Sequence, residues 1–407
     1  MHDSSIFKIR IDFDKSRDSF IFDKNTGQYF LDFFGLYASV PLGYSHPIFR
    51  SEEFRLEFNR VAAIKVPNCE VISDEAQEFL KEFSSYPSMR GYSHFYFCCT
   101  GALAIEAAIK IAMDRKQGPQ PVVLSFRESF HGINGYGGFV TDRFFPVSIR
   151  LDGFPHMGWP KLHTPKIIYG SNGVDEAATR RGMERFEADF AAALKEFGAT
   201  NIAALLVEPI QATYGDNFYP PGFFVRVRQL CDAHQIALIF DEIQTGFGPS
   251  GTLWYFEQTP VRPDIVVFGK KLQVSGVMAT QEFGTTFKTP VRLEVTFDGN
   301  LTDMVRAKYI LRAYQQYDLL DNARRRGHQL LEGLRKIPGI LHPRGCGLLL
   351  AFDFSNGQVC GEFFDKAVGQ RFLCNKTRGT TIRLRPNLNV SPQECEDALA
   401  IIRRCVS

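Results

Sequence analysis

Five short apolar runs punctuate the middle of the chain: FYFCC at 95–99, VVLSF at 122–126, IAALLV at 202–207, IALIF at 236–240 and DIVVF at 264–268. Runs this short, rich in β-branched and aromatic residues and bounded by polar ones, predict strands. They are nearly continuous rather than alternating, which predicts burial on both faces, as in a parallel sheet. Helical patterns lie between them. Residues 102–116 are apolar nearly all round and end in basic side chains, which suits the negative end of a helix dipole. Residues 183–197 and 222–234 read as amphipathic helices. The β-α-β-α order predicts an α/β domain with crossover connections.

The last hundred residues read differently. Helices are expected over 301–317 and 321–336, strands in the Gly-rich RGCGLLLAFDF at 344–354, and a final helix near 391–404. The first forty residues, with YFLDFFG at 29–35, look like strands and turns. The expectation is a large central domain over 46–290 and a smaller α+β domain built from 1–45 and 291–407. There are no internal repeats, low-complexity tracts or obvious linkers.

Composition narrows the picture. A length of 407 residues favours two to three domains and allows a large core without disulfides or structural metal. The 38 Phe read as core filling. Lys and Arg number 47 against 45 Asp and Glu, a net charge of +2 that argues against nucleic-acid or membrane partners. No apolar run approaches the roughly 18 residues of a membrane helix. The N-terminal MHDSSIFKIRIDFDKS carries a charge every few residues, unlike a signal peptide. The nine cysteines (Cys69, Cys98, Cys99, Cys231, Cys346, Cys360, Cys374, Cys395 and Cys405) form no C-x-x-C pair, which excludes zinc ribbons and dithiol redox motifs. Free, mostly buried thiols and a reducing cytoplasm are expected. The nine histidines show no metal-ligand spacing, so no metal is expected.

Three stretches carry candidate chemistry. T-G-A-L-A-I-E at 100–106 follows a predicted strand and opens a helix. Its free N–H groups would suit an anion, with Thr100 adding a hydroxyl donor. Such junctions also occur without ligands. I-F-D-E-I-Q-T-G at 239–246 puts Asp241 and Glu242 at the carboxyl end of an apolar strand, the edge where open α/β sheets bind ligands. Alternation sends their side chains to opposite faces, so one is expected to be functional and the other a solvated loop acid. F-G-K-K at 268–271 places Lys270 after Gly269, where the backbone can turn sharply, and 29 residues beyond Asp241, a gap that fits one crossover. A lysine there, with an acid nearby, suggests a Schiff-base amine; in isolation it reads as a pair of surface lysines, Lys270 and Lys271. G-F-G-P-S-G at 246–251 matches G-x-G-x-x-G but contains Pro249 and stands away from the strand, so a dinucleotide fingerprint is not expected. The basic run Arg324, Arg325, Arg326 reads as a solvated helix face.

Together these stretches resemble the class III pyridoxal-phosphate aminotransferases of fold type I, and within them most the lysine 6-aminotransferases. The resemblance runs over nearly the whole chain. It is carried by F-H-G at 130–132, E-P-I-Q at 208–211, L-C-D at 230–232, I-F-D-E-I-Q-T-G at 239–246 and G-T-L-W-Y at 251–255. P-D-I-V-V-F-G-K-K at 263–271, G-N-L-T-D-M-V-R-A at 299–307 and R-L-R-P-N-L-N-V-S at 383–391 complete it. It implies a mostly parallel sheet of the seven-stranded type, pyridoxal 5'-phosphate as cofactor, a homodimer, and transfer of a terminal amino group from a lysine-like or other primary amine to a keto acid.

By that resemblance Lys270 would bond the cofactor aldehyde and then shuttle a proton to and from the substrate carbon. Asp241 would pair with the pyridinium nitrogen, Gln244 with the ring hydroxyl, and Phe130 would stack on the ring. Gly101 and Ala102 would bind phosphate through backbone N–H groups, Thr296 would reach the phosphate of the other subunit, and Arg385 would hold the substrate carboxylate. Glu208 would support the acid pocket. The chain departs from the subgroup twice. Ile133 stands where an arginine follows F-H-G, and E-P-I-Q-A-T-Y-G puts Thr213 where the subgroup has a glutamate. One cation and one anion are lost together, so substrate recognition is expected to differ. Two other readings remain at this stage: another reaction on the same cofactor (racemase, decarboxylase or mutase type), or a degenerate homologue kept for binding.

Overall fold

A computed structural model of the chain describes residues 6–67, 70–142, 153, 155–170 and 173–406; Cys69 lies outside them. The chain divides into two compact units. The larger comprises Val61–Gly246 and Trp254–Ala307, and the smaller takes in the chain through Arg60, Phe247–Leu253, and the chain from Lys308 onward. The larger unit thus begins at Val61 and ends at Ala307, later along the chain than the limits at 46 and 290 expected from the sequence. Glu57 explains part of the shift: it bonds the buried Lys308 and Tyr309, which ties the helix Glu52–Ala62 to the smaller unit.

The larger unit is organised by a sheet of seven strands: β1 (Tyr92–Cys98), β2 (Val122–Phe126), β3 (Lys161–Leu162), β4 (Ile202–Val207), β5 (Ala237–Asp241), β6 (Ile265–Phe268) and β7 (Ser275–Thr280). Their spatial order is β1-β7-β6-β5-β4-β2-β3. The pairs β6–β5, β5–β4, β4–β2 and β2–β3 are parallel, whereas β7 is antiparallel to both neighbours. β1 therefore runs in the same direction as β6. Every residue of β2, β4, β5 and β6 is buried, the outcome their unbroken apolar runs predict. The carboxyl ends of β1, β2, β5 and β6 share one edge of the sheet.

The helix after β1, α1 (Gly101–Lys116), starts where Thr100 accepts a hydrogen bond from Leu103 N (3.3 Å) and stops at Gln117, which adopts a left-handed conformation. Arg115 and Lys116 occupy its last turn. The helix expected over 183–197 begins earlier, at Glu176, because Asp175 caps it by accepting from Ala178 N (2.9 Å). Its first two turns are too polar to show an apolar stripe, so the cap marks them and the periodicity does not.

The smaller unit is α+β. An antiparallel sheet in the order Leu341–Cys346, Leu349–Asp353, Thr381–Leu384, Asn375–Thr377 accompanies the helices Leu319–Arg335, Gly357–Gly369 and Pro392–Val406. A second sheet pairs Ile11–Arg17, Phe20–Asp23 and Gln28–Asp32 with Phe372–Leu373, joining the two ends of the chain. The loop containing G-F-G-P-S-G packs here. Leu348 N bonds Pro249 O (2.7 Å), and Arg324 donates to Gly251 O (2.7 Å). Its glycines serve close packing.

Candidate active site

The shared carboxyl edge gathers the chemistry. Asp241 closes β5 and is buried. One carboxylate oxygen meets His131 Nδ1 at 2.7 Å, and the other accepts from Ile243 N at 3.0 Å. His131 is held by its own N–H, which donates to Thr141 Oγ1 (2.8 Å), and that hydroxyl in turn donates to Gly132 O (2.6 Å). The ring's Nε2 is buried and has no hydrogen-bond partner among the described residues. Lys270 lies just past β6 on a single 3₁₀ turn, Lys270–Leu272. Here the structure corrects the expected turn. Gly269 is extended, and Lys270 itself takes the left-handed conformation, at φ 46°. That conformation costs a residue with a Cβ roughly 1–2 kcal/mol, a strain typical of functional positions. Gly269 is required for space instead: a Cβ there would stand 2.7 Å from Ser275 Oγ.

The acids part company as alternation requires, with one correction. Glu242 is not a solvated loop acid; it is wholly buried. It accepts from Tyr255 N (2.7 Å), Phe256 N (2.8 Å) and Thr245 Oγ1 (2.9 Å), which fixes the turn after the sheet. Burial pushes its carboxyl up to about 7 despite those donors. Lys271 is buried too, so the pair is not a surface pair. Glu208 accepts from Phe130 N (2.8 Å) and Ala212 N (3.1 Å). It is likewise raised to about 7, chiefly by burial; His131 opposes the shift and Asp241 adds to it.

A cavity of about 290 Å³ opens among these groups. It is lined by Gly101, Ala102, Phe130, His131, Gly132, Ile133, Glu208, Ile210, Asp241, Ile243, Gln244 and Lys270. Eight of these are residues singled out in the sequence. His131, Gly132, Ile210 and Ile243 were quoted inside motifs without a role; the signal for His131 was its place within F-H-G. Thr213 touches the site through Gln244, whose Nε2 donates to Thr213 Oγ1 at 3.0 Å. Thr296 is exposed and absent from the lining. Arg385 belongs to the smaller unit, where its buried guanidinium donates to Leu350 O (3.2 Å) and Leu384 O (2.9 Å).

The donor set suits a planar cationic ring bearing a phosphate and a carbonyl. Gly101 and Ala102 hold the first two positions of α1, where no carbonyl of the same helix can satisfy their N–H groups. A Cβ on Gly101 would come within 2.8 Å of Ile243 Cδ1 and fill this cradle. The buried Asp241 offers an anion, Lys270 an amine, and Phe130 a flat apolar wall. No three His, Cys, Asp or Glu side chains converge as a metal site among the described residues.

Comparison with known proteins agrees with this donor set. A family model for class-III aminotransferases matches residues 3–406. The L-lysine-epsilon aminotransferase of Mycobacterium tuberculosis is 36% identical over 418 residues, covering 97% of this chain and 91% of that protein. The 4-aminobutyrate aminotransferase of Schizosaccharomyces pombe is 31% identical, covering 89% and 82%. The solved structure of lysine aminotransferase from M. tuberculosis in the internal aldimine form matches with a TM-score of 0.94 at 34% identity, covering 100% of this chain and 96% of that one.

Proposed function

The chain belongs to the class III aminotransferases, and we propose that the cavity at the carboxyl edge of its large sheet is where it holds pyridoxal phosphate and exchanges amino groups. It is a pyridoxal-phosphate-dependent transaminase of fold type I, similar to L-lysine 6-transaminases, acting between a small amine donor and a keto acid acceptor. The observation that carries the placement is the convergence of Lys270, the Asp241–His131 pair and the first turn of α1 on one cavity.

When bound, the cofactor supplies an aldehyde that takes up the amino group and a protonated ring that withdraws electrons from the substrate carbon. Lys270 Nζ would hold the aldehyde group and, as a free amine, would carry a proton to and from the substrate carbon. Asp241 would hold a proton on the ring nitrogen. His131 and Ile243 N fix the direction of its carboxylate, and burial strengthens the pairing by excluding water. Phe130 would bear on the ring face, Gln244 on the ring hydroxyl, and the N–H groups of Gly101 and Ala102 on the phosphate. Glu208 anchors Phe130 by accepting its N–H. By the family resemblance, Arg385 would bind the substrate carboxylate. Thr296 serves the phosphate of a second copy, so the active unit is a homodimer. No helix among the described residues is long and apolar enough to cross a membrane. We place the enzyme in the cytoplasm, where its eight described free cysteines stay reduced.

The placement is tested by reducing the holoenzyme with borohydride and mapping the labelled peptide. Label on Lys270 is expected. Label on Lys271 or on another lysine overturns the assignment.

A further inference from the structure

We infer that Thr213 is a positioning residue that sets the amide of Gln244 toward the bound cofactor. The inference rests on the cofactor pocket proposed above and assigns a role to one of the two residues by which the chain departs from the lysine 6-aminotransferase pattern.

Gln244 needs such a partner. It lies three residues past Asp241, beyond the end of β5, and its side chain has three soft torsions. Ordering a glutamine of this kind costs up to about 2 kcal/mol of rotamer entropy. Among the described residues its amide has one hydrogen-bond partner, the Thr213 hydroxyl, at 3.0 Å.

Thr213 is fit to be that anchor. It is nearly buried, and a β-branched side chain has few χ1 choices. Its backbone belongs to a turn fastened at several points. Ala212 N bonds Glu208 (3.1 Å), and Gly215 N and Asp216 N both bond Ala212 O (3.2 and 3.3 Å). Gln211 and Asn217 exchange backbone hydrogen bonds of 3.1 and 3.0 Å at the neck of the turn. The hydroxyl is thus a fixed acceptor. With one Nε2 hydrogen committed to it, the plane of the Gln244 amide is set. The second N–H and the carbonyl then remain for a ligand oxygen in the cavity that Gln244 lines. A side chain aimed in advance loses less on binding than one that must be ordered then.

Thr213→Val keeps the shape and removes the acceptor; Thr213→Ser keeps the acceptor and removes a methyl. The readouts are the dissociation constant for pyridoxal phosphate and the pH midpoint of the bound cofactor's visible absorption band. Thr213→Val is expected to weaken binding about 5-fold, the equivalent of one neutral hydrogen bond, and to displace the midpoint. Thr213→Ser is expected to stay within about 2-fold of the parent with an unmoved midpoint. In a Gln244→Ala background Thr213→Val should add nothing, because the group it positions is gone. An unmoved midpoint in Thr213→Val, equal losses in the Val and Ser variants, or additive effects in the double variant would each overturn the inference while leaving the pocket intact. A parent protein that shows no cofactor band overturns the pocket and the inference together.

Discussion

Ile133 faces the cavity from the position after F-H-G and is 64% exposed. Its neighbours on the wall include Phe130, Ile210 and Ile243, and among the described lining residues Lys270 is the only lysine or arginine. A bidentate arginine–carboxylate contact is charge-assisted and roughly twice as strong as a neutral hydrogen bond. Where an apolar wall takes the place of that contact, a second carboxylate in the substrate loses on the order of 2–4 kcal/mol, or about 30- to 1000-fold. The expected outcome is poor use of L-lysine with 2-oxoglutarate and better use of donors and acceptors that set an apolar or uncharged group against Ile133. Steady-state kinetics on matched pairs of mono- and dicarboxylic acceptors measures this directly. Ile133→Arg should narrow the preference. An efficiency of about 10⁴ M⁻¹s⁻¹ or more for lysine and 2-oxoglutarate in the parent would mean that another cation serves the dicarboxylate.

One element after β5 shows how a buried acid can serve the fold. Glu242 receives three hydrogen bonds that hold the turn at Tyr255 and Phe256. Glu242→Gln replaces one accepting oxygen with a donor facing an N–H, at a cost of about 1–3 kcal/mol. The pH dependence follows from the raised carboxyl. Its neutral form is the one that folding favours, so its stabilising share is complete below the ordinary value near 4.5 and is lost as pH rises through about 7. Glutamine does not titrate. The stability gap between parent and variant should therefore narrow by up to about 3 kcal/mol between pH 5 and 8, read from denaturant midpoints at each pH. Glu208 titrates in the same direction in both proteins and cancels from the difference. A gap that widens with pH would show that the ionised form is the favoured one. The sequence made the ends of β5 and β6 legible, because an acid or a lysine closing an apolar run stands out. It hid the burial of Glu242, which depends on a loop returning 13 residues later to cover it. It also hid β7. S-G-V-M-A-T has too little bulk to read as a strand, yet small residues are what the site demands: a Cβ on Gly276 would stand 2.7 Å from the Phe268 ring and 2.3 Å from Tyr96 O. His131 was legible as a motif letter only, since its partner Asp241 is 110 residues away.

At the scale of the whole molecule, the larger unit leaves apolar surface that one copy does not cover. Ile64, Ile72 and Val291 are 71%, 81% and 84% exposed, and Val295 and Phe297 flank Thr296 at 52% and 44%. Nearby runs a groove of about 360 Å³ whose lining includes Val71, Ile72, Leu80, Phe95 and Phe97. Large apolar side chains left exposed beside a groove are the kind of surface that a second copy would cover. A net charge of +2 sets up little repulsion between two copies. The segment that would seal such a dimer is also the one that carries Thr296, so assembly and cofactor retention should fail together. Phe297→Asp puts a charge into that segment; Phe297 lines no part of the cavity, and Lys65 stands over its ring (4.4 Å). The expected outcome is a shift from dimer to monomer mass in sedimentation, unchanged circular dichroism, and at least about 10-fold weaker retention of pyridoxal phosphate, the loss that accompanies about 1.4 kcal/mol of missing phosphate contact. A monomer that binds the cofactor with parental affinity would mean that the N–H groups of Gly101 and Ala102 complete the phosphate site within one copy, and that Thr296 has no part in it.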